Sequence, residues 1–307
     1  MFPIVRVEAR DTESLEPLGS KRKYWFTDDA NKRMLFKAAE KRGTGTDWAE
    51  KLACELCRLI GLPHVAYELA EEADSGVPGV ICENCSLEPY SLVMGNQLLL
   101  KHDPNYPVDD TSKYGVSKHT VSAVTQVVAY LQNPPQIWLG GLPETIGSAL
   151  EIFIGYVLLD TWIANPDRHH QNWAALRHDD ELFLCPTYDH GAAMARGITD
   201  ANRSERLNTS DRNRTVASFA AKAKSAFYAT PTDRRTLTTY DAWISFARLC
   251  PNAATTWLSL LATLGDDVVE ELIARVPTER MTEVSRSFTG RLLSENRKRL
   301  LEGHGHE

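Results

Sequence analysis

The sequence has 307 residues, enough for one large domain or two modest ones around a substantial core. Hydrophobic residues make up 43% and charged residues 24%, an ordinary balance for a soluble globular protein. A net charge of −7 and a pI near 5.8 argue against a uniformly basic nucleic-acid binder.

The opening stretch "MFPIVRVEARDTESLEPLG" lacks the basic and then apolar pattern of a secretory signal, so a cytoplasmic protein with reduced thiols is expected. "RKYWF" and "RMLFK" read as two strands of a hairpin, with "TDDANK" between them as turn chemistry. A polar loop, "AAEKRGTGT", follows. The spacing of Leu52, Leu56, Leu59 and Ile60 then predicts a helix over residues 47–60, stopped by the glycine and proline of "GLP". "HVAYELA" and "GVPGVICEN" read as two further strands around an acidic loop. Residues 1–84 are therefore expected to form a small antiparallel sheet carrying one helix.

Residues 85–307 read as mostly helical. "SKHTVSAVTQVVAYLQ" and "IGSALEIFIGYVLLDTWIA" carry helical periodicity. The second holds the longest apolar run, which contains Glu151 and Asp160 and is too short to span a bilayer comfortably; a buried core helix is expected. After it comes "ANPDRHHQNW", then two strand-like runs, "NWAALRH" and "LFLCPTYD", joined by "DDE". Residues 196–214 are polar and read as a flexible loop or a charged helix. "KAKSAFY" reads as a helix with a solvated face, or as a wall of a substrate site. "YDAWISFARL", "TTWLSLLATLG" and "DDVVEELIARV" are helical, as is the final segment, where Val284, Phe288 and Leu292 recur every four residues. The terminal "GHGHE" is expected to fray.

Two C-x-x-C pairs, Cys54/Cys57 and Cys82/Cys85, resemble zinc-ribbon spacing. A zinc knuckle wants a tight turn between its thiolates, whereas Cys54 and Cys57 fall within the predicted helix. Buried thiols acting as small hydrophobes are the preferred reading.

The chemistry concentrates in "ANPDRHHQNW". Adjacent His169 and His170 suggest a metal site, and with it a metal-dependent hydrolase or nuclease. Adjacent side chains on a regular element point apart, however, so the pair is a poor metal clamp. On this reading His169 hydrogen-bonds the backbone and His170 is exposed. Asp167 and Asn172 instead have the D-x-x-x-x-N spacing of a kinase catalytic loop, in which the carboxylate accepts a hydroxyl proton and the carboxamide holds a metal on the nucleotide phosphates. One hairpin later "YDHG" supplies Asp189 as a second oxygen ligand, a set that suits Mg²⁺. Lys37, ending the "RMLF" strand, is placed to reach phosphates. Glu50 can pair with it, or can close a capping box on Asp47. The loop "LGSKRK" precedes the first hairpin strand and is placed to cover the phosphates, although it is poor in glycine.

"IANPDRHHQNW" followed by "LCPTYDHGAAM" resembles the C-terminal core of HipA-like serine/threonine kinases, and "LGSKRKYWF", "MLFK", "DWAEKLACELCRLIGLP" and "SFTGRLLSENRKRLL" fit that family in order. The resemblance implies an α+β, bilobal protein-kinase-like fold, with an N-lobe over residues 1–84 and a helical C-lobe over 85–307. It implies Asp167 as catalytic base with His169 bracing its loop. Asn172 and Asp189 become Mg²⁺ ligands. Ser20, Lys21, Lys37, Glu50 and Glu83 become ATP-contacting residues, with Ile81 to Asn84 near the adenine hinge. Ser20 is the candidate for an inactivating autophosphorylation. The match corresponds to a short form without the extra N-terminal subdomain of full-length HipA toxins, which either a separate small partner protein supplies or this kinase does without. A protein substrate, as with the translation components that family members phosphorylate, and an antitoxin partner are further implications; direct nucleic-acid and membrane contacts are not expected. The competing readings are a kinase-fold enzyme acting on a lipid or small molecule, and an inactive nucleotide-binding interaction module.

Overall fold

The structure, a computed structural model, describes residues 1–8, 12–15, 22–39, 44–107 and 115–303, with side chains described for all of these except 12–15. The expected hairpin forms from β3 (Lys23–Thr27) and β4 (Arg33–Ala38), paired antiparallel with Lys23 opposite Lys37. It joins β1 (Ile4–Val7), β2 (Thr12–Leu15), β5 (Tyr67–Glu72) and β6 (Pro78–Glu83) in one sheet of order β1-β5-β6-β4-β3-β2. Its pairs are antiparallel except β1–β5. The sequence reading missed β1 because "IVRV" is short and has two exposed residues. A parallel neighbour far along the chain leaves no local turn signal.

Helix α1 (Thr46–Ile60) packs on β5 and β6. Gly61, at φ +71°, ends it: the Gly61 and Leu62 amides turn back onto the Arg58 and Cys57 carbonyls, a closure that needs a left-handed residue. Its apolar face and α4 (Ala149–Trp162) contribute to a single core cluster, which therefore runs from the sheet into the helical half.

The chain reaches α4 through β7 (Ser91–Met94), α2 (Gly95–His102) and α3 (Val121–Val128). The sequence reading predicted neither β7 nor α2. Helix α3 is shorter than its periodicity suggested and ends in a turn before Leu131. Helix α4 is the buried core helix expected. Apolar residues surround it, and Ser148 and Glu151 close a capping box at its start. Strands β8 (Ala174–His178) and β9 (Glu181–Leu184) form the second predicted hairpin, with β7 on its other edge.

Helices α5 (Asp200–Asn208), α6 (Val216–Ala221), α7 (Thr239–Ala247), α8 (Pro251–Thr263), α9 (Asp266–Ala274) and α10 (Glu283–Glu302) complete the chain. The polar 196–214 stretch thus holds a charged helix. "KAKSAFY" is not a helix: α6 ends at Ala221, and the segment runs on irregularly, with Lys224 bridging Thr238 and Tyr228 bridging Thr120. Phe227 is buried there against His119 and Phe246, which pulls the chain out of helical register. The architecture is the α+β, bilobal arrangement expected, a sheet-based lobe followed by a helical one. Among the described residues no helix is long and apolar enough to cross a membrane.

Candidate active site

A cleft of about 960 Å³ lies between the large sheet and the helical half. Lys37, Glu50, Tyr67, Asp167, His169, Asn172 and Asp189 all line it, and so does Glu83. Of the sequence-predicted residues, Ser20 and Lys21 lie outside the described residues. Glu83, at the end of β6, is at the cleft's margin and forms an ion pair with Lys32 at 2.9 Å.

Each side chain is placed by identifiable local structure. The strand alternation of β4 turns Lys37 to the α1 side of the sheet. Its Nζ lies 3.3 Å from the Asp189 carboxylate, 3.7 Å from Glu50 and 3.1 Å from the Tyr67 hydroxyl. Burial opposes the ammonium charge, but Asp189, Tyr67 and Glu50 outweigh it and hold the Lys37 pKa well above the ordinary value. Burial pushes the Glu50 carboxyl up to about 7 while Lys37 draws it back. Glu50 does not cap α1. The N-cap is Gly45, Asp47 pairs with Arg280 at 3.1 Å, and the other Glu50 oxygen accepts the His190 amide at 2.7 Å. The capping-box alternative fails because the N-cap, Gly45, lies two residues before Asp47.

The catalytic-loop candidate follows α4 directly. Asp160, on the last turn of α4, accepts three hydrogen bonds of 2.8 Å, one from Asn165 and two from Arg168. Arg168 reaches further, donating to the Asn172 carbonyl at 3.0 Å and to the His190 ring at 3.2 Å. Burial, and next the Arg168 charge, hold His190 neutral, so its Nε2 is an acceptor. One buried arginine thus ties the 165–172 loop to α4 on one side and to the 187–190 segment on the other. The sequence reading passed over both Arg168 and Asp160. A lone Asp inside an apolar helix was the available signal, since burying it demands a partner.

Asn172 spends its amide nitrogen on the Asp167 carbonyl at 2.7 Å, which makes its side-chain oxygen the atom that could face a cation. Asp189 stands in left-handed backbone at φ +60°, a conformation Asp tolerates and most residues avoid. The loop carbonyls and amides are mutually satisfied: Asn165 Oδ1 accepts the Asp167 amide, and His169 Nδ1 accepts that of Gln171. His169 therefore braces the loop from within, 3.6 Å from the Asp167 carboxylate. His170 is not exposed as the sequence suggested. It is buried behind the loop, with Nδ1 hydrogen-bonded to the Tyr106 hydroxyl at 2.8 Å. The two rings are 6.2 Å apart and nearly perpendicular, so they do not present a shared metal site.

The donor set facing the cleft fits Mg²⁺. Asn172 and Asp189 offer oxygen atoms, and a hard cation prefers such ligands. Of the thiols, Cys82 and Cys85 also line the cleft. Cys54 accepts the Tyr67 amide, Cys57 is buried within α1, and Cys82, its thiol pushed up to about 12 chiefly by burial, sits opposite Tyr67. Cys85 hydrogen-bonds Cys185.

Two solved structures share this arrangement of elements along nearly the whole chain. A Helicobacter pylori proinflammatory kinase, CtkA, matches with a TM-score of 0.71 at 17% identity, over 98% of this chain and 96% of that one. HipA, from a Shewanella oneidensis toxin–antitoxin complex with HipB and operator DNA, matches with a TM-score of 0.55 at 11% identity, over 94% of this chain. The chain has a HipA-like kinase fold. It spans 65% of the HipA chain's length. No protein-family model and no curated protein matches the sequence. In the HipA-like fold the cleft between the lobes is the one that Lys37, Asp167, Asn172 and Asp189 line.

Proposed function

We propose that the protein is an ATP- and Mg²⁺-dependent kinase that transfers the γ-phosphoryl group of ATP to a serine or threonine hydroxyl of a protein. One observation carries this reading: Lys37, Asp167, Asn172 and Asp189, from three separate stretches of sequence, converge on one cleft large enough for a nucleotide. In this reading Asp167 accepts the proton of the acceptor hydroxyl. His169 and the Asn172–Asp167 hydrogen bond hold that carboxylate still, and Lys37 holds the nucleotide phosphates. Asn172 and Asp189 would hold Mg²⁺, whose chemistry is to offset charge on the phosphates. Most of the rate would come from positioning and preorganised charge. Glu83 would lie near the adenine.

A protein acceptor follows from the resemblance to serine/threonine kinases. It is tested by incubating the protein with γ-labelled ATP, Mg²⁺ and a cell extract. The expected product is acid-stable phosphoserine or phosphothreonine on protein. Label found only in lipid or small molecules moves the acceptor to another class. The HipA neighbour was solved with HipB and operator DNA. A toxin role with an antitoxin partner is the corresponding proposal here. It requires that expression arrest growth and that Asp189→Ala relieve the arrest; unaffected growth removes that role and leaves the kinase reading standing.

A further inference from the structure

We propose that Tyr67 is a positioning residue of this site, its hydroxyl acting as a joint that sets both the Lys37 ammonium and the Asp189 carboxylate. The proposal rests on the kinase reading and adds to it a residue which neither the sequence motifs nor the cleft's four defining residues include.

The geometry is specific. Tyr67 begins β5 and is buried, with its ring beneath Lys37, whose Nζ is 5.1 Å from the ring centroid. The hydroxyl oxygen accepts from Lys37 Nζ at 3.1 Å and from the Asp189 amide at 3.3 Å. Cys82 is the partner of Tyr67 across the β5–β6 pair. A phenol oxygen has two lone pairs, and the contacts to Lys37 and Asp189 use both of them.

Two comparisons show why the arrangement points to positioning rather than to packing. The first is with Glu50. The Lys37–Glu50 separation is 3.7 Å, longer than a hydrogen bond, whereas Lys37–Tyr67 is 3.1 Å. Glu50 supplies a nearby charge, and Tyr67 supplies the directed contact that fixes where the ammonium points. The second is with the following amide. The Asp189 amide goes to Tyr67 and the His190 amide goes to Glu50, so two acceptors from the sheet-based lobe grip consecutive amides of the metal-binding segment. Asp189 sits at φ +60°, a backbone region costly for a residue with a Cβ. Such a conformation persists where its surroundings hold it, and the grip on both amides supplies that hold. Lys37 and Asp189 then share one reference point, so the phosphate-binding cation and the metal ligand are set relative to each other.

The test compares wild type with Tyr67→Phe, which keeps the ring and removes the hydroxyl. Three readouts are needed: affinity for Mg-ADP by calorimetry, kcat and KM for ATP, and amide hydrogen exchange of the ligand-free protein around Asp189. The expected results are a nucleotide affinity lowered about 10- to 100-fold, as for loss of a hydrogen bond to a charged group. KM should rise with it, and exchange at Asp189 should speed up while exchange in α7 stays unchanged. In a Lys37→Met background the same substitution should lower ADP affinity by a smaller factor than in the wild type, because the contact to Lys37 is already gone and only that to the Asp189 amide is left to lose. Should Tyr67→Phe fail to fold, Tyr67→Met carries the same comparison. Wild-type binding and turnover, with Tyr67→Phe matching wild type in affinity and exchange, would overturn the inference alone. Equal loss in the presence and absence of Lys37 would also overturn it. Failure of the wild type to bind nucleotide at all would remove the kinase reading, a different outcome.

Discussion

Replacing Asp160 by Asn removes one charge and changes no volume. Asp160 and Arg168 are both almost fully buried, and three donors converge on the Asp160 carboxylate at 2.8 Å. An amide keeps one acceptor but turns an NH₂ toward Arg168's donors, and the guanidinium is left in the interior without its counter-charge. Breaking a buried pair in this way costs about 3–5 kcal/mol. For 307 residues the entropy of unfolding at the midpoint is roughly 0.6 kcal/mol/K, so the melting temperature should fall by about 5–8 °C. Calorimetry measures this directly. The double variant Asp160→Leu/Arg168→Met should recover most of the lost stability, since apolar replacements need no counter-charge. It should still be catalytically poor, because Arg168 no longer ties the Asn172 carbonyl and His190 together. A shift below about 1 °C for Asp160→Asn would refute the claim that this pair anchors the loop. Full activity in the stable double variant would refute the claim that Arg168 sets the loop's geometry.

Other consequences are equally specific. Lys37→Met should weaken ATP binding about 10- to 100-fold with little change in melting temperature, measured by calorimetric titration. Asp189→Ala should abolish the part of nucleotide affinity that depends on Mg²⁺, leaving metal-free binding within a few-fold of wild type. His119 donates Nδ1–H to the Ala226 carbonyl and accepts the Trp173 indole at Nε2, and its pKa falls to about 3, chiefly through burial. The unfolded chain therefore takes up a proton that the folded chain refuses as pH drops from about 6.5 toward 3, and stability is lost over that window at up to about 1.4 kcal/mol per pH unit. Nitrogen-15 spectra should show a neutral His119 ring at pH 5, and a protonated ring there would contradict the assignment.

How far the sequence could be read depended on range. The β3–β4 hairpin, α1, α4 and the β8–β9 hairpin carry their own period and punctuation, and each was legible. Strand β1 was not, since its partner among the described residues, β5, is some sixty-five residues away and nothing local announces a parallel pair. "KAKSAFY" misled because helical spacing of small residues looks the same whether the next residue, Phe227, faces solvent or the core. At the site, Asp167, Asn172 and Asp189 were legible from spacing and order. Tyr67 and Asp160 were not, as a Tyr opening a strand and an Asp in an apolar helix are ambiguous until a partner comes into view. Glu50 shows the opposite hazard: a capping box was a sound local reading, and a two-residue difference in the N-cap of α1 freed the side chain for the His190 amide.

The central claim is phosphoryl transfer from ATP with Asp167 as the base. It is tested most directly by following label from γ-labelled ATP and Mg²⁺ into acceptor with wild type and Asp167→Asn side by side, after calorimetry has shown that both bind Mg-ATP. The account predicts transfer by the wild type and a loss of at least about 100-fold in the variant with binding retained. A wild type that binds no nucleotide, or a variant that transfers label as fast as the wild type, would contradict it.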